Sequence, residues 1–177
     1  KNDGSVWACG HNAYGQLGLN DTTDRTTFTQ VTTNINNDVK QVVCGYYDTF
    51  IIKNDDSLWA CGYNGNGQLG LDTADDNAHS TFTQVTTNIN NDVKQIACGE
   101  YYTYILKNDG SVWSCGYNQY GQLGLGTSDT NAHSTFTKVT TNINNDVKQV
   151  YCTSSYTVIV KNDGSLWSCG NNYNGQL

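Results

Sequence analysis

Short apolar runs, separated by clusters of Gly, Asn and Asp, set the pattern of this chain and predict β-strands joined by tight turns. Within residues 38–91 we predict strand A over Asp38–Cys44 and strand B over Thr49–Lys53. The tetrapeptide Asn54–Ser57 contains residues that tolerate positive φ, so it predicts a hairpin turn into strand C, Leu58–Cys61. A glycine-rich loop then leads to strand D, Thr81–Thr86. The pattern therefore predicts a four-stranded antiparallel unit.

This unit is repeated along the chain. The segment KNDGSVWACG at Lys1 recurs with small changes at Lys53, Lys107 and Lys161, which gives periods of 52, 54 and 54 residues. The segments GQLG and TTNINNDVKQ recur between these copies. A unit of this size is too small to bury its own faces, and such units pack radially as the blades of a β-propeller. The sequence predicts an all-β propeller with no second domain.

We predict a single repeat domain over residues 1–177, divided into a partial blade (1–37), two complete blades (38–91 and 92–145) and a second partial blade (146–177). This is about 3.3 blades, and a propeller needs at least about four to close its ring. We therefore expect the chain to be a fragment of a longer propeller, completed by blades outside it. The alternative is a ring closed by further copies of the same chain.

The repeat resembles that of the regulator of chromosome condensation family. The resemblance rests on the pattern VxQVxCGxYxT followed by KNDGSLWxCGxNxxGQLGL, and it covers the whole chain. It implies a propeller, typically of seven blades. The founding member of the family is a chromatin-bound nucleotide-exchange factor for a small GTPase, and most relatives are interaction platforms.

The chain departs from the family pattern at two positions of each repeat. The usual histidine near strand B is replaced by Asp48, Tyr102 and Tyr156, and the tryptophan before the strand C glycine is replaced by cysteine. No inserted wedge for a GTPase is visible in the sequence. The resemblance therefore implies the fold and not the exchange activity. We expect structural roles for the recurring tryptophans and loop glycines, namely Trp7, Trp59, Trp113, Trp167, Gly15, Gly67 and Gly121.

Charge and composition narrow the choice of partners. The formal net charge is −7, Arg25 is the only arginine and the lysines are scattered singly, which argues against direct binding of nucleic acid. No apolar stretch approaches the roughly 20 residues of a membrane span. The 23 Asn and 22 Thr residues and the shortage of arginine suggest a bacterial or phage protein.

The seven cysteines occupy two equivalent positions of the repeat, at the ends of strands A and C. Strand B separates A from C, so the sulfurs of one blade lie about 9.6 Å apart, too far for a disulfide. The spacing also lacks the paired cysteines of zinc sites, and we predict no metal and no cofactor. We expect buried thiols that fill the blade cores, among them Cys44, Cys61, Cys98 and Cys115. Free thiols favour a reducing cytoplasm or an anaerobic cell surface or virion, although the compartment stays open.

The order of the strands divides the loops between two faces. The A–B and C–D loops emerge on one face, rich in Tyr, Asn and Gly, whereas the B–C hairpins and D–A connections emerge on the other. Tyrosine with Asn, Gly and Ser is the mixture that binding loops use for contact area and adaptable hydrogen bonds. The candidate binding residues are Tyr46, Tyr47, Asp48, Tyr63, Glu100, Tyr101, Tyr117, Tyr120 and Tyr173. We expect Tyr102 and Tyr156 to pack between blades instead.

No recurring nucleophile, base and carboxylate lie together in the repeat, so we predict no catalytic residue and no enzyme. The sequence favours a non-enzymatic scaffold that presents its tyrosine-rich face to a protein partner. One alternative is a carbohydrate- or receptor-binding module of a cell-surface or phage appendage, since tyrosines also stack on sugar rings. Guanine-nucleotide exchange on a small GTPase is a further alternative.

Overall fold

The computed structural model describes all residues from 1 to 177 and contains thirteen strands and no helix. The strands are β1 (Val6–Gly10), β2 (Arg25–Val31), β3 (Val39–Cys44), β4 (Asp48–Lys53), β5 (Leu58–Asn64), β6 (Asp75–Val85), β7 (Val93–Cys98), β8 (Tyr102–Lys107), β9 (Val112–Asn118), β10 (Asp129–Lys138), β11 (Val147–Cys152), β12 (Tyr156–Lys161) and β13 (Leu166–Gly170). No segment forms a helix that is long and apolar enough to cross a membrane.

The strands form four antiparallel sheets, in which each strand pairs with its neighbour in sequence. The sheets are β1-β2, β3-β4-β5-β6, β7-β8-β9-β10 and β11-β12-β13. The A strands of successive sheets, β3, β7 and β11, approach one another and form the inner edge of the array. The predicted all-β class, strand number and antiparallel order are confirmed, and the two complete sheets have the four strands of a propeller blade.

Strands C and D are longer than the sequence pattern predicts. In the second sheet they continue past the predicted ends, with Gly62 opposite His79 and Asn64 opposite Asp75, and the register shifts on both sides of Gly62. Gly62 has φ +116°, which a side chain rarely adopts, and this bulge lets the hairpin extend into a stretch without apolar alternation. The prediction missed these extensions because periodicity detects only strands with a buried face.

The hydrophobic core lies between neighbouring sheets rather than within any one of them. Three apolar clusters separate the four sheets. The largest joins Phe50, Ile52 and Leu58 of the second sheet to Ile105 and Phe136 of the third. Because each sheet needs its neighbour to cover its apolar face, the blades stabilise one another in sequence.

A buried lysine joins three segments at the end of each B strand. The Lys107 ammonium donates to the Asn88 carbonyl oxygen at 2.7 Å, lies 3.2 Å from an Asp92 carboxylate oxygen and sits 4.8 Å from the centre of the Trp113 ring. The D–A connection, strand B and strand C therefore meet at one cation. Lys53 and Lys161 make the same contacts in their own sheets.

The B–C turn completes this arrangement. In the third sheet, Trp113 Nε1 donates to Ser111 Oγ, and the Ser111 backbone N–H donates to Asp109 Oδ1. The turn needs a left-handed residue, which is Gly110 here and Asp56 in the sheet before it, as the sequence predicts. The Lys, Asp, Ser and Trp of KNDGSxW are therefore explained by one hydrogen-bonded turn beneath a cation–π contact, a structural role for the tryptophans.

Asparagine is the residue other than glycine that most often adopts the left-handed backbone. Eight residues other than glycine have positive φ, and six of them are asparagines. In the D–A connections Asn34, Asn88 and Asn142 have φ near +60°, and the Asn34 and Asn88 side chains donate to carbonyl oxygens of the following sheet. These turns account for part of the high asparagine content.

The C–D loop of one sheet packs against strand D of the next. A Cβ atom on Gly15 would lie 2.4 Å from Ser80 Cα, and one on Gly67 would lie 2.5 Å from Ser134 Cα. Glycine is required at both positions because no side chain fits between the two backbones. Gly121 shares the left-handed φ, but its Cβ would have space.

The cysteines differ more in burial than the sequence predicts. Cys61 and Cys115 at the C-strand ends are buried, and their thiols contact carbonyl oxygens of the preceding blade, Gln16 and Gln68 respectively. Cys98 is half-buried, and Cys44 is exposed, so the expectation that Cys44 fills a core is wrong. Cys44 ends the A strand on the inner edge, where no other part of the chain covers it. All seven thiols are free.

Replacing Lys107 with Met should lower the free energy of unfolding by about 2–4 kcal/mol, because the Asn88 carbonyl and the Asp92 carboxylate lose their buried partner. Urea unfolding followed by tryptophan fluorescence measures this change. Lys94→Met is the matched control, since Lys94 is exposed and forms no ion pair. Equal effects of the two substitutions would contradict the role assigned to the buried lysine.

Thiol labelling should separate the cysteines by burial. Burial raises the pKa of the Cys61 and Cys115 thiols well above the usual value, and the thiolate is the reactive form. We expect iodoacetamide at pH 8 to modify Cys9 and Cys44 at least tenfold faster than Cys61 and Cys115, as followed by peptide mass spectrometry. Modification of Cys115 as fast as Cys44 would refute the described packing.

Candidate functional site

The A–B and C–D loops meet on one face, as the strand order predicts. The backbone N–H of Tyr63 donates to the Tyr47 carbonyl oxygen, and the same bond joins Tyr117 to Tyr101 and Asn171 to Ser155. One repeated hydrogen bond therefore holds the two loops together in three successive blades. It also places residues 47, 101 and 155 at equivalent positions.

Six tyrosines on this face form a continuous aromatic cluster. Tyr47 lies at its centre, with its ring centroid 5.0 Å from that of Tyr14, 4.5 Å from that of Tyr46 and 6.3 Å from that of Tyr63, all edge to face. The Tyr47 and Tyr101 rings are stacked, 5.9 Å apart with an interplanar angle of 29°. We call Tyr14, Tyr46, Tyr47, Tyr63, Tyr101 and Tyr117 the tyrosine cluster.

The remaining candidate tyrosines lie beside this cluster. Tyr101 connects to Tyr117 at 6.5 Å, whereas Tyr120 and Tyr173 form a separate pair at 6.1 Å. Tyr46 is 64% exposed and Tyr173 is 84% exposed, but the central rings are half-buried against one another. Mutual packing restricts the orientations of the central rings.

Desolvation and nearby carboxylates raise the pKa of two tyrosines in the cluster. Partial desolvation, followed by the nearby Glu100 carboxylate, raises the pKa of Tyr101 to about 12. Desolvation and the hydrogen bond from Tyr63 Oη to Asp76 Oδ1, 3.0 Å long, raise the pKa of Tyr63. At neutral pH the Tyr63 and Tyr101 hydroxyl groups therefore remain hydrogen-bond donors beside carboxylates.

Asp48 is not exposed on the tyrosine-rich face, and the expectation that it contacts a ligand there is wrong. Its side chain points inward beneath the A–B loop and is 1% exposed. Neither carboxylate oxygen has a hydrogen-bond partner, and desolvation raises the pKa of Asp48 to about 8. A Cβ atom on Gly45 would lie 2.0 Å from Asp48 Oδ1, so the loop closes tightly over the carboxyl group.

The equivalent residue of the next blade shows what this position does. Tyr102 is buried, and its hydroxyl donates to the Tyr156 carbonyl oxygen of the following blade at 2.6 Å. The expected packing of Tyr102 between blades is confirmed, while Tyr156 is half-buried. Residues 48, 102 and 156 thus occupy blade interfaces, and Asp48 is too short to make the cross-blade bond.

An open concavity of about 410 Å³ adjoins the tyrosine cluster. It is lined by Asn66, Glu100, Tyr101, Tyr117, Tyr120, Gln122, Ser154 and Ser155. Glu100, Tyr101, Tyr117 and Tyr120 were identified from the sequence, but the two serines, Asn66 and Gln122 were not. Alignment of the repeats points to Ser155, because this serine occupies the position of Tyr47 and Tyr101 in the two preceding blades.

A family model for the regulator of chromosome condensation (RCC1) repeat matches residues 3–52, 55–106 and 109–160. A second model of the same repeat matches 39–68, 93–122 and 147–176. The chain belongs to the RCC1-repeat family. Each matched RCC1 unit after the first begins in a B–C turn and ends in strand B of the next sheet, so it spans the interface between two blades.

Two curated relatives show how much of an RCC1-repeat protein is present here. A secretion-regulating guanine nucleotide exchange factor from Bos taurus is 34% identical over 122 residues, which cover 68% of this chain and 26% of the relative. The ultraviolet-B receptor of Arabidopsis thaliana is 29% identical over 175 residues, which cover 99% of the chain and 39% of the receptor. The chain therefore spans between a quarter and two fifths of these relatives.

Solved RCC1 structures share the fold. Yeast RCC1 (Prp20) in its crystal structure with Kap60 superposes with a TM-score of 0.81 at 23% identity, covering 95% of this chain and 40% of that chain. A second structure of Prp20p from Saccharomyces cerevisiae gives a TM-score of 0.84 at 19% identity, with 98% and 42% covered. These relatives are eukaryotic, so they give no support to the expected bacterial or phage origin.

Replacing Asp48 with Asn should stabilise the protein in a pH-dependent manner. The folded protein keeps the Asp48 proton that the unfolded chain releases above about pH 4, so wild-type stability falls as the pH rises toward 8. We expect Asp48→Asn to raise the free energy of unfolding by on the order of 2–4 kcal/mol at pH 8 and by little at pH 4. Urea titrations at both pH values measure this difference.

Asp163→Asn provides a control of opposite sign. Hydrogen bonds from the Ser165 side chain and backbone lower the pKa of Asp163, so this carboxylate stabilises the folded state above about pH 4. Its substitution should lower the unfolding free energy at pH 8. A pH-independent effect of Asp48→Asn would contradict the buried, unpaired state of that carboxyl group.

Proposed function

We propose that the chain is a non-enzymatic interaction module that binds a protein partner through the tyrosine cluster and the adjacent concavity. The observation that carries the proposal is the continuous contact of six tyrosine rings on one face of the array. Tyrosine is enriched at the energetic centres of protein interfaces, where it combines apolar area with a hydroxyl group.

The opposite face supports the proposal by contrast. Its loops are the KNDG turns and the NINND connections, and they are nearly identical from blade to blade. Their lysines and aspartates are engaged in the buried network beneath the turns, as with Lys53 and Asp38 at 3.1 Å. Sequence variation between blades is concentrated in the tyrosine-bearing loops, where each blade offers different groups to a ligand.

The family membership also favours a binding role. The yeast RCC1 structures concern complexes or binding with other proteins, Kap60 in one case and Gsp1p and histones in the other. The bovine relative is a guanine nucleotide exchange factor, which makes nucleotide exchange the second candidate function. Both are properties of longer proteins, and a protein-binding face is the feature that the described residues themselves support.

Site-specific photocrosslinking in the source cells tests the proposal. With p-benzoylphenylalanine in place of Tyr46, at the exposed edge of the cluster, we expect a covalent adduct with a discrete protein. The same probe at Asn108, exposed on the opposite face, is the matched control and should give none. The identified partner should then bind the Tyr47→Ala variant at least tenfold more weakly than it binds Asn108→Ala.

The other candidates give different outcomes. Binding on a glycan array that is lost in Tyr63→Ala, without any protein adduct, would replace the proposal by carbohydrate recognition. Accelerated release of labelled GDP from a GTPase captured by the Tyr46 probe would support nucleotide exchange. Equal crosslinking from Tyr46 and Asn108, or unchanged partner affinity in Tyr47→Ala, would refute the assigned face.

A further inference from the structure

The fourth blade has a serine at the position where the two preceding blades carry Tyr47 and Tyr101. Residues 47, 101 and 155 are equivalent, because each accepts the same backbone hydrogen bond from the C–D loop of its own blade. Tyr47 and Tyr101 stack on each other at 5.9 Å. The next position is Ser155, so no third ring continues the stack and the concavity opens beside Tyr101.

The same site carries the only glutamate of the chain. Residues 46, 100 and 154 are equivalent, and they are Tyr, Glu and Ser respectively. Glu100 lines the concavity together with Tyr101, Tyr117 and Tyr120. No cation lies within ion-pair distance of its carboxylate, and no lysine or arginine is among the lining residues. The concavity therefore combines a serine in place of a tyrosine at position 155 with the carboxylate of Glu100.

This combination defines the chemistry of the ligand. Tyrosine rings attract cations at their faces, and a carboxylate beside them adds an ion pair. A guanidinium group is planar, stacks on aromatic rings and presents parallel N–H donors to a carboxylate, whereas a lysine ammonium is a point charge without a stacking plane. A neutral aromatic side chain would fill the space but would leave Glu100 desolvated without a partner.

We propose that the concavity binds an arginine side chain of the protein partner, with the guanidinium stacked on Tyr101 and paired with Glu100. This inference rests on the proposed function and specifies the partner's chemistry. The volume of about 410 Å³ exceeds what one guanidinium needs, and Ser154, Ser155 and Asn66 offer hydroxyl and amide groups to the adjacent peptide backbone. The net charge of −7 attracts a basic segment at longer range.

The test is a titration of the ¹⁵N-labelled protein with N-acetyl-arginine methylamide, followed by NMR. We expect saturable shifts of the amide signals of Glu100, Tyr101, Ser154 and Ser155, with millimolar affinity for this isolated side chain. The citrulline analogue has the same shape without the charge, and it should bind at least tenfold more weakly. The lysine analogue should also bind more weakly than the arginine compound.

Two variants locate the effect in the concavity. Ser155→Tyr restores the ring that both preceding blades carry at this position, so it should fold and should abolish the shifts. Glu100→Gln should weaken binding of the arginine compound at least tenfold. Asp76→Asn is the matched control, because it neutralises a carboxylate beside Tyr63 on the same face but outside the concavity. It should leave the arginine affinity within twofold of wild type.

The outcomes separate this inference from the proposed function. Equal binding of the arginine and citrulline compounds, or unchanged binding to Ser155→Tyr, would overturn the arginine site. Tighter binding of N-acetyl-tyrosine methylamide would do so as well, because the concavity would then accept an aromatic ring. A further outcome is that the partner still crosslinks to the probe at position 46 when Ser155 is replaced by Tyr. Together with any of these binding results, that crosslink would reject only the arginine site and leave the proposed tyrosine face standing.

Discussion

The mutual covering of neighbouring sheets is the constraint on which the whole structure depends. No sheet has a core of its own, and the apolar residues in the B and C strands of the two complete sheets are buried because neighbouring sheets lie against them. The close approach of Gly67 to the Ser134 backbone and the hydrogen bond from Asn88 to Phe136 keep successive sheets in one fixed relation. This packing of the sheets sets the distance between the tyrosine-bearing loops of neighbouring blades.

The two faces differ in the interactions that hold their loops in place. On one face, a buried lysine, a tryptophan and a short turn hold the connections in place, and this network requires nearly the same residues in every blade. On the other face, backbone hydrogen bonds such as that from Tyr117 to Tyr101 join the A–B and C–D loops, and they place no demand on the side chains at the joined positions. Tyr, Glu and Ser can therefore alternate at equivalent positions without disturbing the blades.

Much of this could be predicted from the sequence, because the repeat specifies strand order and the turn residues specify the hairpins. The tyrosine face followed from topology alone. The inward direction of Asp48 did not, since an aspartate in a polar loop looks exposed until the cross-blade role of Tyr102 is seen. Cys44 is exposed because it lies at the inner edge of the array. The concavity is open because residue 155 is a serine and not a tyrosine. Each of these features depends on residues that are close in space but distant in sequence, and the periodicity of the sequence does not reveal such contacts.

The asparagines with positive φ also affect the conformational entropy of the unfolded chain. Glycine adopts positive φ more easily, but it also gives the unfolded chain more conformations to lose on folding. Asparagine tolerates the same backbone geometry with fewer unfolded alternatives, and at Asn34 and Asn88 its side chain adds a hydrogen bond to the next sheet. Part of the stability of the repeat thus arises from the restricted entropy of the unfolded chain at the six asparagines with positive φ.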